Sequence, residues 1–389
     1  MFGICFFHTG IRYGEVFVME YTESFKKLRL SDKIYDSLTE NHQPYVATFE
    51  LLSRCNFKCI HCYLGVHRQE TEELSFEQVK HIIDELKQAG VIQIALTGGE
   101  CTLRKDFIDI YQYVKENGFI VTVFTNASNI SDELVECFKK YPPFSVEISL
   151  YGASGKTYYE VTGVDAFKKV NSNIKKLHDA GVHLSIKTPL MKQNIQDEKA
   201  LKAIASELGY TLRTSMALSP TIDKEMYPTD YAVSLCDIFL HEVNANPDRK
   251  LNIDTADTVN PYNSDISENS FVPLFICNPG VTDVFIDYKG NVCPCIAYRS
   301  RGVSLLENTF SEIWNSFRQL KSIAAPKDYK CTRCECRFFC PICVGEQEEV
   351  HQDMCHIPKD VCVYSHARKK YYIDKESVEK ILDFIKHNI

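Results

Sequence analysis

Short apolar runs alternate with amphipathic helical patterns along the first half of the chain. Tyr45–Ser53, Val91–Thr97, Phe119–Thr125, Ser145–Leu150, His183–Thr188 and Tyr210–Leu218 are such runs and read as strands. The segments between them carry the helical period. Leu74–Ala89 is the clearest: Val79, Ile82, Ile83 and Leu86 share one face, Ser75 and Gln78 form a capping box, and Gly90 stops the helix. Asp165–Ala180 repeats the logic, with Val170, Ile174 and Leu177 inward and Gly181 at its end. Six strand–helix units in strict alternation predict an α/β fold. Right-handed crossovers curl its parallel sheet into a partial (β/α)6, TIM-like barrel over residues 45–218.

Barrels of this kind gather reactive groups at the carboxyl ends of their strands, and the chain has chemistry at five consecutive ends. Strand one runs into Cys55-Asn56-Phe57-Lys58-Cys59-Ile60-His61-Cys62-Tyr63, and strand two into Thr97-Gly98-Gly99-Glu100. Strand three ends in Thr125-Asn126-Ala127, strand four in Ser149-Leu150-Tyr151-Gly152, and strand five carries Lys187. Three thiolates are one ligand short for a closed zinc site, and leave one iron of an iron–sulfur cube open. His61 as a fourth zinc ligand is awkward, because its side chain diverges from that of its neighbour Cys62.

The Cys-x3-Cys-x2-Cys spacing, with Gly-Gly-Glu after the second strand, resembles the signature of the radical SAM superfamily. That resemblance implies a 4Fe–4S cluster on Cys55, Cys59 and Cys62, whose open iron takes S-adenosylmethionine and cleaves it to a 5′-deoxyadenosyl radical. It also implies that Gly98 and Gly99 let backbone approach the methionine moiety and that Glu100 meets its ammonium. Asn126, Ser149 and Lys187 would serve the ribose and carboxylate, and Tyr63 would lie near the adenine. Ordinary strand-end hydrogen bonding is the competing reading for these last four. Cys101 stands where the family commonly has proline, and reads as a small buried thiol.

A polar linker over 219–276, with one helix around Ala232–Val243, precedes a second group of cysteines. Cys277-x12-Gly290-x4-Cys295, then Cys331-x2-Cys334-x5-Cys340-x2-Cys343, then Cys362 resembles the SPASM domain, here over 277–375. The resemblance implies two auxiliary iron–sulfur clusters of the 4Fe–4S type. Cys277, Cys295 and Cys343 would hold one, with Cys293 as a candidate fourth ligand; Cys331, Cys334, Cys340 and Cys362 would hold the other. Two residues rather than three precede Cys343, and Cys293, Cys336 and Cys355 lie outside the pattern. Cys-x2-Cys pairs suit zinc ribbons equally, so that reading stays open at this point. Phe310–Leu320 and Ser377–His387 read as packing helices, the latter within a C-terminal element at 376–389.

Composition narrows the setting. The chain has 389 residues, 44% of them hydrophobic, with no apolar stretch long enough to span a membrane. Its net charge of −8 argues against nucleic acid. Seventeen clustered cysteines point to metal rather than disulfides, and so to a cytoplasmic enzyme. Residues 1–44 hold a candidate hairpin, Gly3–Phe7 against Glu15–Met19, and a short helix near Ser31–Leu38.

The resemblance implies an enzyme that abstracts hydrogen from a residue of a peptide or protein, leaving a crosslink, a thioether or an epimer. Tyr158-Tyr159-Glu160-Val161-Thr162-Gly163 is similar to a segment common among peptide maturases. A flavodoxin, ferredoxin or reductase would supply electrons. Leader-peptide recognition would fall to a separate protein or to another surface, since a winged-helix module needs more chain than residues 1–44 supply. Sulfatase maturation to formylglycine is a second reading, a small-molecule dehydrogenase or epimerase a third, and a non-catalytic iron–sulfur or zinc scaffold a fourth.

Overall fold

The computed structural model describes residues 32–69, 72–222, 230–245, 271–275, 277 and 279–389. The candidate hairpin in residues 1–19 lies outside them. The described chain forms two compact units: residues up to 232 together with 279–318, and residues 233–278 together with 319–389.

The first unit is built on one nine-stranded sheet. The strands are β1 (Val46–Glu50), β2 (Gln93–Thr97), β3 (Ile120–Thr125), β4 (Ser145–Ser149), β5 (Leu184–Pro189), β6 (Leu212–Ser215), β7 (Asp283–Ile286), β8 (Asn291–Cys293) and β9 (Val303–Ser304). Strands β1 to β6 pair in sequence order and all parallel, as the alternation of runs predicts. Helices connect consecutive strands, as parallel pairing requires. The helix Phe76–Gln88 starts at Ser75 with the expected capping box to Gln78, and buries Val79, Ile82, Ile83 and Leu86. The helix Phe167–Asp179 buries Val170, Ile174 and Leu177.

Strand residues alternate between two faces. Ala47, Phe49, Ile94, Leu96, Val121, Val123, Val146, Ile148, Leu184 and Ile186 make an apolar, buried set, which in such folds is covered by the helices. The opposite face is polar, with Glu50, Thr97, Glu147, Ser149, Lys187 and Arg213 at or near the strand ends.

Beyond β1 the sheet departs from the six-strand expectation. β7 pairs parallel to β1, with Val46 opposite Asp283, and β8 and β9 follow antiparallel. The 277–375 stretch is therefore divided: its 279–318 part continues the barrel sheet, and the rest belongs to the second unit. The cysteine spacing marks ligands and does not report which sheet edge a strand extends. Residues 219–276 also contain more than a linker. The helix Leu235–Ala245 buries Phe239 against Val363, Tyr364 and Ala367 of the helix Lys359–Tyr372 and Ile381 and Ile385 of the helix Val378–Asn388. Among the described residues, no helix is long and apolar enough to cross a membrane.

Candidate functional site

The cysteine loop leaves β1 and is held from two sides by backbone. On one side, Gly99 N–H donates to Leu52 O at 2.9 Å and Glu100 N–H to Arg54 O at 3.0 Å. A Cβ on Gly98 would sit 2.3 Å from Leu52 O, and one on Gly99 would sit 2.2 Å from Ser53 O and 2.3 Å from Arg54 O. No side chain fits at that separation, so both glycines are needed for the close approach of β2's end to the loop. Contact with a methionine moiety, the expected reason for them, is not required to explain them. On the other side, Lys58 N–H donates to Thr162 O at 2.8 Å and Ile60 N–H to Val161 O at 3.0 Å. Those carbonyls end the helix Gly155–Thr162, which Gly163 caps in the left-handed region at φ 68°. The Tyr158–Gly163 segment thus anchors the cysteine loop.

Glu100 braces the same region from beneath. It is 1% exposed. Its Oε1 accepts from the Thr102 and Thr125 hydroxyls, each at 2.6 Å, and its Oε2 from Asn126 N–H at 2.6 Å. Burial pushes this carboxyl above its usual range, opposed by those hydrogen bonds. Asn126 Nδ2 in turn donates to Asn56 Oδ1 at 3.0 Å and lies 3.9 Å from Cys55 Sγ. Asn56 Nδ2 reaches Ser128 Oγ at 2.8 Å. The structure thus brings Gly98, Gly99, Glu100, Asn126 and the cysteine loop into one network. The Glu100 carboxylate, expected to face a ligand ammonium, is directed mainly at protein donors.

Ser149 lies beside the Tyr151 hydroxyl, and Tyr151 and Tyr158 both face the Cys55 and Cys59 thiols. Lys187 projects from β5 over the Phe124 ring, 3.8 Å from its centre. Its Nζ is 3.8 Å from Glu147 Oε2, too far for a hydrogen bond, because Arg213 of β6 occupies that oxygen. Burial pulls the Lys187 ammonium down to about 7. Tyr63 donates its hydroxyl to Glu50, and the Arg299 guanidinium lies 5.3 Å from its ring centre. Sequence reasoning missed Glu50 and Arg299. The signal for Glu50 is a carboxylate ending an otherwise apolar strand; Arg299 has none in sequence. Cys101 is buried, donates to Phe124 O at 3.3 Å, and burial holds its thiol well above the usual range, as for an inert thiol.

Cys55, Cys59 and Cys62 are not gathered for one ion. Three donors on one tetrahedral zinc lie about 3.5–4 Å apart, and among the described residues only Cys334, Cys336 and His366 bring three such atoms within 4.8 Å of one another. His61 does not join Cys55, Cys59 and Cys62. It packs against Tyr151, and burial pulls it down to about 3, so its ring is neutral. Three thiols on one loop that are not drawn together around one ion suit a cluster of several irons.

Of the second cysteine group, Cys293 and Cys295 belong to the first unit, and Cys277, Cys331, Cys334, Cys340, Cys343, Cys355 and Cys362 to the second. Burial pushes the Cys277 thiol up to about 12, and the Cys343 thiolate adds to it. Cys334 and Cys340 lie within electrostatic reach of each other and of both Cys331 and Cys362, which suits a four-cysteine cluster site.

The family model described as the Radical SAM superfamily matches residues 49–204, and SPASM, an iron–sulfur cluster-binding domain, matches 277–336. The chain belongs to the radical SAM superfamily. It is a radical SAM enzyme, with a 4Fe–4S cluster and S-adenosylmethionine as cofactors of its barrel and auxiliary iron–sulfur clusters in its SPASM region.

Among curated relatives, the AdoMet-dependent heme synthase of Methanosarcina barkeri is 24% identical over 84% of this chain and 98% of its own. The sporulation killing factor maturation protein SkfB of Bacillus subtilis is 27% identical over 80% of this radical SAM enzyme and 75% of its own length. Among solved structures, Streptococcus suis SuiB bound to its precursor peptide SuiA superposes with a TM-score of 0.65 at 17% identity, covering 88% of this chain and 87% of that one. That likeness shows the shared fold.

Proposed function

We propose that this radical SAM enzyme matures a ribosomally made peptide, leaving a crosslink, a thioether or an epimer. The observation that supports it most is the relatives' pattern: a maturation protein matches four-fifths of the chain, and the fold follows SuiB, a protein solved with a precursor peptide bound. The AdoMet-dependent heme synthase supports a second reading, radical chemistry on a tetrapyrrole.

In this reading Cys55, Cys59 and Cys62 hold the radical cluster, and Cys277, Cys295 and Cys343 with Cys331, Cys334, Cys340 and Cys362 hold the auxiliary ones. When bound, cluster and cofactor would supply the one-electron chemistry for taking a hydrogen atom from the substrate. The chain's own residues position and shield. Gly98 and Gly99 bring the end of β2 against the cysteine loop, and Glu100 fixes Asn126 against Cys55. Lys187 offers a cation for the cofactor carboxylate, since Arg213 has engaged Glu147. Tyr63, held by Glu50, lies at the adenine side. Fixed polar groups in a site shielded from water position the reacting carbon without reorganising. Residues 45–218 form the radical core, a flavodoxin, ferredoxin or reductase supplies electrons, the leader is read by a separate protein or by another surface of this one, and the setting is the cytoplasm.

The test is anaerobic incubation with dithionite, S-adenosylmethionine and short peptides encoded beside the gene. Loss of two hydrogens from a peptide, or deuterium uptake from heavy water without mass loss, supports maturation. Turnover of a porphyrin and of none of the peptides favours the second reading.

A further inference from the structure

Cys336 and His366 lie outside every cysteine pattern, yet the structure joins them to Cys334. Cys336 is 1% exposed, at the start of the turn Arg337–Phe339. Its Sγ lies 3.1 Å from His366 Nδ1, and its N–H donates to Cys334 Sγ at 3.4 Å. The three donor atoms fall within 4.8 Å of one another. A tetrahedral zinc with ordinary bond lengths holds sulfur and nitrogen about 3.5 Å apart and two sulfurs about 3.8 Å apart. Separations of at most 4.8 Å lie within about 1.3 Å of these values, so side-chain shifts of about an ångström would close the site. Two sulfurs and an imidazole suit zinc and exclude calcium or magnesium, which take oxygen.

The placement of Cys334 gives this trio a consequence. Cys362 and His366 sit four residues apart on the helix Lys359–Tyr372, and so share one face. That face offers a thiol to the four-cysteine set of Cys331, Cys334, Cys340 and Cys362, and an imidazole to the set of Cys334, Cys336 and His366. Cys334 belongs to both.

We propose that Cys334, Cys336 and His366 bind one thiophilic divalent cation of the zinc class while the four-cysteine set lacks its cluster, and that ion binding and cluster assembly exclude each other through Cys334. Ligation displaces the thiol protons to solvent, with no change of oxidation state. The exclusion rests on Cys334 being an auxiliary-cluster ligand; the ion site does not.

Cobalt(II) is the probe, added to full-length protein with Cys331→Ala, Cys340→Ala and Cys362→Ala, which removes the other three thiols of the four-cysteine set and keeps the trio. The difference spectrum against the same protein carrying His366→Gln or Cys336→Ser isolates one site. Loss of an outer-shell partner already costs about 10–100-fold in metal affinity, so loss of either ligand should weaken this one equivalent by about a hundredfold. X-ray absorption of zinc-loaded, iron-free wild-type protein should show one nitrogen and two sulfurs from the protein, and needs no variant to fold. Cobalt uptake unaffected by both substitutions, or zinc bound by four sulfurs, would overturn the site. In wild-type protein, zinc preloading should delay growth of the iron–sulfide absorbance, and His366→Gln should remove the delay. An ion bound through the trio with no delay would overturn the exclusion and the reading of Cys334 together, leaving the site standing.

Discussion

The Arg299 guanidinium grips the Glu50 carboxylate through two hydrogen bonds of 3.0 and 2.9 Å, tying the segment after Cys293 and Cys295 to the end of β1. Glu50 is fully buried and also accepts from the Tyr63 hydroxyl. Arg299 is stacked over the Phe285 ring at 4.3 Å, and its carbonyl lies 3.8 Å from Cys293 Sγ. One ion pair thus links the strand that feeds the Cys55, Cys59 and Cys62 loop to the segment that follows Cys293 and Cys295.

Breaking a buried pair by removing one partner leaves an uncompensated charge and costs about 3–5 kcal/mol, whereas replacing both with apolar residues is often near neutral. Glu50→Met should therefore destabilise the protein by about that much, and Glu50→Met with Arg299→Met by clearly less. Anaerobic urea unfolding of the two variants checks this. Equal losses would mean that the pair is not coupled.

Gly99→Ala places a methyl group 2.2 Å from Ser53 O, against backbone that cannot step aside. The cysteine loop must shift, so this variant should lose about four irons per chain while the auxiliary irons stay. Iron analysis after anaerobic reconstitution checks it. A full iron complement would mean that the loop tolerates the displacement.

Lys187 gives a pH dependence. Burial lowers it to about 7, and the charged groups facing it are Glu147 from β4 and Arg213 from β6, which engage each other; β3 contributes only the Phe124 ring. If its ammonium holds the cofactor carboxylate, binding requires the protonated form, which is half present near pH 7, approaches completeness below it and is lost above it. Affinity for S-adenosylmethionine should then fall by up to about tenfold per pH unit above 7, since one unit is about 1.4 kcal/mol. Lys187→Arg should flatten this part of the profile, because a guanidinium does not titrate there. Calorimetric titrations at pH 6.5 and 8.5 decide it, and the cofactor's own amino group is common to both proteins. Parallel profiles would remove Lys187 from the carboxylate site.

Much of the first unit is legible in the sequence because its strands are short, apolar and regularly spaced, and its helices carry a clean period and caps. The six parallel strands follow from that pattern. β7 to β9 do not, since Asp283–Ile286 and Asn291–Cys293 are too short for a period to register. The helix Leu235–Ala245 hides its role because a buried acid, Glu242, interrupts its apolar face. Arg368 answers that charge at 3.1 Å, from more than a hundred residues away. At the site, Cys55, Cys59, Cys62 and the Gly98-Gly99-Glu100 turn are local motifs and stand out. Glu50 with Arg299, and Cys336 with His366, are pairs made by folding, and no local spacing announces them.

The central claim is radical cleavage of S-adenosylmethionine at the Cys55, Cys59 and Cys62 loop, and 5′-deoxyadenosine release under anaerobic reduction measures it most directly. Wild-type protein should carry on the order of twelve irons and little zinc and release 5′-deoxyadenosine. The variant with Cys55, Cys59 and Cys62 replaced by Ala should lose about four of those irons, keep the rest and release none. An undiminished yield from that variant would contradict the account.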